Sequence, residues 1–162
     1  IGTTVINDHA VFDQLTFRQA VQKSSDVGMI RVAQRLGRDS FARYVRAFGF
    51  GAPTGVALPG ESAGLLRSPE RWSILSLPSM SFGQEIGVTG LQMTMAAAAV
   101  ANGGYLMKPL LVRRVEDSRG HVLRELKPVV VRRVLEPETV DVLTEILRGA
   151  VSAGTGQFRV RG

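Results

Sequence analysis

No cysteine occurs among the 162 residues, which removes disulfide scaffolds, thiolate zinc sites, iron–sulfur clusters and a cysteine nucleophile together. Histidine is nearly as scarce. His9 and His121 are the only two, too few for an all-protein histidine metal site. No apolar run reaches eighteen residues and no signal peptide opens the sequence. Lysine is rare as well, with three lysines against 17 arginines. What remains is ordinary globular material. Hydrophobic residues make up 44% and charged residues 21%, so wholesale disorder and fibrous architectures are excluded, and the length suits a single core.

The net charge of +6 is spread unevenly. Residues 105–162 carry 11 basic and 7 acidic side chains, whereas residues 51–104 carry 2 and 3. A nucleic-acid module concentrates its cations on one element and interleaves aromatics with them. Here Arg113-Arg114 and Arg132-Arg133 lie in strand-like runs mixed with Glu116, Asp117 and Glu125. The pattern describes a solvated basic face, with no nucleic acid expected as partner. An anionic membrane surface or a polyanionic wall polymer is also compatible with this charge.

Local signals place the elements. Thr16 and Gln19 fit a capping box for a short helix to about Lys23, which ends at the polar knot Ser24-Ser25-Asp26. Val27, Ile30, Ala33 and Leu36 predict an amphipathic helix stopped by Gly37. Asp39 or Ser40 is expected to cap a third helix running to Phe48. Five glycines and two prolines between residues 49 and 66 predict an extended, turn-rich segment. Ser68-Pro69 opens a short helix through Trp72. A second capping box, Thr89 to Gln92, opens a helix to Asn102 that is apolar almost all round and is expected to be buried. Leu110 to Val115, a turn at Ser118-Arg119-Gly120, and His121 to Leu126 form a predicted hairpin, with a further strand at Val129 to Val131. Pro137 begins a last helix ended by Gly154.

Gly60-Glu61-Ser62-Ala63-Gly64 matches the G-x-S-x-G nucleophile elbow, which requires a strand before it and a helix after it. Pro59 precedes it and Pro69 follows closely, leaving no room for the elbow helix. Ser62 therefore reads as a loop residue. Taken alone, Ser24-Ser25-Asp26 is a helix cap, and Ser81 to Glu85 is a loop before a helix.

The order of the pieces carries more than any piece alone. Lys23-Ser-Ser-Asp-Val-Gly-Met29, Phe48-Gly-Phe-Gly51, Leu58-Pro-Gly-Glu61, Arg71-Trp72-Ser73, Ser81-Phe-Gly-Gln84, Ala101-Asn-Gly-Gly104 and Gly154-Thr155-Gly156 follow one another at near-family spacing. From Leu15 to about Gly156 the chain resembles the transpeptidase domain of class B penicillin-binding proteins, particularly the division-specific peptidoglycan D,D-transpeptidases. The resemblance implies an α+β fold, a partial penicillin-binding protein transpeptidase and serine beta-lactamase-like architecture, helix-dominated with a β-hairpin. Apolar surface is expected to lie uncovered where the family's main sheet packs.

The same resemblance implies an acyl-serine transferase that uses three motifs, S-x-x-K, S-x-N and K-T-G, and no cofactor or metal. No lysine here lies three residues after a serine, and none opens Lys-Thr-Gly. Residues 1–162 are thus expected to be an incomplete transpeptidase domain, without the nucleophile segment and the third-motif strand. By position Ser24 matches the middle-motif serine, which relays a proton between the lysine and the departing amine. Asp26 stands where the family usually has asparagine, so an acceptor-only carboxylate replaces an amide that also donates. The implied partners are peptidoglycan stem peptides, beta-lactams and membrane proteins of a division complex. The implied location is the outer, periplasmic face of the inner membrane. The loops at Ser81 to Glu85 and Gly154 to Gly156 flank the cleft in the family and receive no chemical role. A non-catalytic pseudo-transpeptidase serving as a cell-wall scaffold is the alternative that Asp26 favours.

Overall fold

The computed structural model describes residues 5–155. Three helices come first. α1 (Phe17–Gln22) has both halves of its capping box, and α2 (Asp26–Leu36) follows after a three-residue junction. α3 (Arg38–Ala47) starts immediately after Gly37, whose φ of 82° only glycine adopts without strain. That residue ends α2 and serves as the N-cap of α3, without a side-chain cap. The cap expected at Asp39 or Ser40 is therefore corrected, because the glycine reverses the chain earlier.

The segment from Gly49 onward is irregular, as its glycines and prolines require, and leads to a 3-10 turn at Pro69–Arg71. Trp72 lies just beyond this turn. Its indole donates to the Arg67 carbonyl at 3.0 Å, and its ring meets Phe41 edge-on at 6.3 Å. With Ala42 and Met80 it forms a buried cluster flanked by Phe41, Leu66, Leu77 and Ile86.

α4 (Ser76–Ser81) is an element that no sequence signal announced, ending where the predicted loop Ser81 to Glu85 begins, and it packs against α2. Pro78 is its third residue, where a backbone N–H has no intrahelical partner to lose. Gln84 then folds back, its N–H reaching the Ser79 carbonyl at 2.9 Å, and Glu85 accepts from the buried Ser76 hydroxyl at 2.8 Å. Ser81 to Glu85 is thus a tied helix end.

α5 (Gly90–Ala101) is not buried on all sides. Gln92, Ala96 and Ala99 face inward, whereas Met93, Ala97 and Ala101 lie exposed on the opposite flank. That flank leaves apolar side chains exposed, Met93 among them. Gln92 does double duty. Its side-chain oxygen accepts from Thr89 N–H, and its amide donates to the carbonyls of Ala52 and Ala63, each at 2.9 Å.

Two small antiparallel pairs follow. β1 (Tyr105–Met107) pairs with β4 (Val130–Arg133), placing Leu106 opposite Arg132 under α5. β2 (Arg114–Glu116) and β3 (Val122–Glu125) form the expected hairpin, although its first strand begins only at Arg114. Asp117 organises the turn by accepting from the N–H groups of Arg119 and His121. α6 (Pro137–Ala153) closes the described chain and lies against α1 and α5.

Candidate active site

The junction between α1 and α2 is built on a division of labour between adjacent serines. Ser25 is the N-cap of α2, almost wholly buried, and its hydroxyl accepts from Gly28 N–H at 2.9 Å. The same hydroxyl donates to Asp8 at 2.8 Å, and the other carboxylate oxygen of Asp8 accepts from Val27 N–H at 3.0 Å. Burial pushes the Asp8 carboxyl up, but donation by Val27, Ser25 and the Asp26 backbone outweighs it and holds the group below its ordinary value. Sequence reasoning missed Asp8 because nothing local marks it; it acts on residues 17 to 19 positions away.

Ser24 is left facing outward. Its φ is 51°, one of only two positive values at a non-glycine among the described residues. A left-handed serine persists where its surroundings over-determine it, and such positions cluster at functional sites. Here the Ser24 N–H donates to Val21 and the Ser25 N–H to Ala20, which ties the turn to α1. The Ser24 hydroxyl lies 2.9 Å from that of Thr155.

Asp26 is the first residue of α2, half-buried, with its charge at the positive end of the helix dipole. Ser24 and Asp26 thus flank the buried cap Ser25. Lys23 is turned away, its ammonium 5.3 Å from the centre of the Phe12 ring.

Ser62 is a loop residue, its hydroxyl accepting from Gly64 N–H at 3.1 Å. Leu65 then bridges to Gly87, and no helix follows to make a nucleophile elbow. Among the described residues no cluster of three His, Asp or Glu side chains could hold a metal ion.

The helical junction, the order of its flanking elements and their shape can be matched to known proteins. The pattern of the penicillin binding protein transpeptidase domain matches residues 2–162. The chain belongs to that family. Penicillin-binding protein PbpB of Mycolicibacterium smegmatis is 39% identical over 80% of this chain and 20% of its own length. The probable peptidoglycan D,D-transpeptidase PenA of Neisseria meningitidis is 34% identical over 98% of this chain and 28% of its own. The crystal structure of penicillin binding protein 3 from Mycobacterium tuberculosis, complexed with aztreonam, superposes with a TM-score of 0.82 at 33% identity, over 96% of this chain and 35% of that one. This transpeptidase-family chain therefore spans 20% to 28% of the length of these two relatives. Its fold is the partial α+β architecture that the motif order implies.

Proposed function

We propose that this chain is part of a peptidoglycan D,D-transpeptidase that cross-links stem peptides through an acyl-serine intermediate, and that penicillins acylate the same serine. The observation that carries this reading is Ser24, an exposed hydroxyl in a left-handed backbone at the position of the family's middle motif. In that role the nucleophilic serine attacks the stem-peptide carbonyl, the carbon–nitrogen bond breaks, and Ser24 relays a proton to the departing amine. An amine of a neighbouring stem then takes the acyl group and releases the serine.

Residues 1–162 hold neither S-x-x-K nor K-T-G, so the chain alone is expected to be inactive. Fluorescent penicillin is expected to label the full-length protein and to leave this 162-residue chain unlabelled. Covalent labelling of the chain itself would overturn the assignment. The family likeness also supports a location at the outer face of the inner membrane, with division proteins as neighbours. Among the described residues no helix is long and apolar enough to cross a membrane.

Asp26 supports a second reading, a pseudo-transpeptidase that keeps the fold as a scaffold. A carboxylate here gives the substrate carbonyl no donor, and it favours the protonated form of a nearby catalytic lysine. Asp26→Asn in the full-length enzyme is expected to raise the penicillin acylation rate. An unchanged rate removes the argument from donor loss and lysine charge. An upstream S-x-x-K and a downstream K-T-G in the full-length sequence support the enzyme; their absence supports the scaffold.

A further inference from the structure

The Ser24 hydroxyl has a partner delivered from the far end of the described chain, and the delivery is built with care. Gln22, the last residue of α1, is gripped by the end of α6. Its side-chain amide donates to the Ile146 carbonyl at 3.4 Å, and its backbone carbonyl accepts from Thr155 N–H at 3.2 Å. Two glycines make this approach feasible. A Cβ at Gly149 would stand 1.9 Å from the Gln22 side-chain nitrogen, and one at Gly154 would stand 2.2 Å from the Gln22 carbonyl oxygen. Gly149 lies inside α6, where glycine costs roughly 1 kcal/mol relative to alanine. Close contact with Gln22 gives that glycine a structural reason. Farther along α1, Arg18 and Glu145 pair across the same interface at 3.0 Å.

The result is that Thr155 Oγ1 lies 2.9 Å from Ser24 Oγ, across 131 residues of sequence. Both side chains are exposed in this chain, so burial within it does not account for the contact. The backbone of Ser24 is fixed from α1, as its turn hydrogen bonds show, and its neighbour Ser25 is fixed by Asp8. Its side-chain torsion is the freedom that remains.

We propose that Thr155 is a positioning residue for Ser24, holding the hydroxyl in the orientation its proton relay needs. This rests on the reading of Ser24 as the middle-motif serine. A relay hydroxyl receives a proton on one lone pair and gives up its own, so its hydrogen-bond polarity reverses during the step. A carboxylate or an ammonium partner would oppose one of the two states. A threonine hydroxyl both donates and accepts and carries no charge, so it follows the proton either way.

The test uses the full-length protein and the second-order rate of acylation by fluorescent penicillin. Ser24→Ala checks the underlying reading: a large fall is expected, and an unchanged rate refutes the role of Ser24 itself. Thr155→Val keeps the shape and removes the hydroxyl, and is expected to slow acylation about tenfold. Thr155→Ser is expected to restore the rate to within about twofold, which a purely packing role would not do. The double variant Ser24→Ala with Thr155→Val should be no slower than Ser24→Ala alone. If Ser24→Ala is slow while Thr155→Val acylates at the parent rate, the positioning role is overturned and the transpeptidase reading stands. Additive losses in the double variant, or failure of serine to rescue, overturn it as well. A full-length parent protein that takes no label overturns the transpeptidase reading, and with it the relay that Thr155 would serve. Should Thr155→Val fold poorly, Thr155→Ala at this exposed position supplies the same comparison.

Discussion

Asp8 shows how a single carboxylate can shape a site that it does not enter. By taking hydrogen bonds from Ser25 and Val27 it fixes the cap of α2, and so fixes the turn from which Ser24 projects. Folding lowers its pKa beneath the ordinary aspartate value of 3.8, so the native protein binds fewer protons there than the unfolded chain does. The stability it contributes is present above that value and is lost as pH falls through the depressed one. Asp8→Ala is expected to destabilise the protein by about 1–2 kcal/mol at neutral pH, through the hydrogen bonds it loses. Denaturant titrations should show the gap between parent and variant narrowing as pH drops below the ordinary aspartate range. A gap independent of pH would mean that the carboxylate's charge is not what holds the cap. Local sequence could not announce Asp8 or Thr155, since each acts on a partner many positions away. The Gly154-Thr155-Gly156 stretch was visible as a family feature, but its partner was not, and Gly156 lies outside the described residues.

Elements were legible where their signals are local. Both capping boxes, Thr16 with Gln19 and Thr89 with Gln92, are formed as their spacing predicts. The hairpin turn forms at Ser118-Arg119-Gly120 as predicted, and the structure adds Asp117, which accepts from Arg119 N–H two residues on. α4 was illegible for the opposite reason. Three serines and a proline in six residues have poor helix propensity, and packing against α2 overrides it. β1 is three residues long and exists by pairing with β4, a contact that no local pattern encodes. Helix–helix contact also explains Gly28. An added Cβ there would come within 2.8 Å of the Ala20 Cβ and 2.9 Å of the Ser25 hydroxyl. Gly28→Ala should therefore destabilise by about 1–3 kcal/mol, even though alanine is the better helix former. Thermal unfolding of the variant measures this directly, and a stabilised protein would show that α1 and α2 can separate without cost.

For the molecule as a whole, the telling feature is apolar surface at two places, the outer flank of α5 and the face around the hairpin. Met93 is 52% exposed and Leu123 67% exposed. The family resemblance implies further sheet strands outside this chain, and a flank of this kind is where such strands are expected to pack. Met93→Glu is accordingly expected to act in opposite directions in two settings. It should raise the solubility of the 162-residue chain and lower the melting temperature of the full-length protein. A full-length protein indifferent to the substitution would show that nothing packs on this flank. The composition suggested a size sufficient for one core, and the structure meets it with a small cluster around Trp72 and a second contact layer between α1 and α6.

That second layer also has a consequence in time. A growing chain exposes Ser24 well before its hydroxyl partner, which is 131 positions downstream. At common translation rates of about 5–20 residues per second, roughly 7–26 seconds separate the synthesis of the two. Through that interval α1 and α2 can form with Ser25 and Asp8 already joined, while the outward serine stays unclasped. Closing so long a loop adds little entropy cost beyond that of a loop half its length. The order of synthesis therefore leaves the Ser24 side-chain torsion free until Thr155 arrives, after the backbone of its turn has been set.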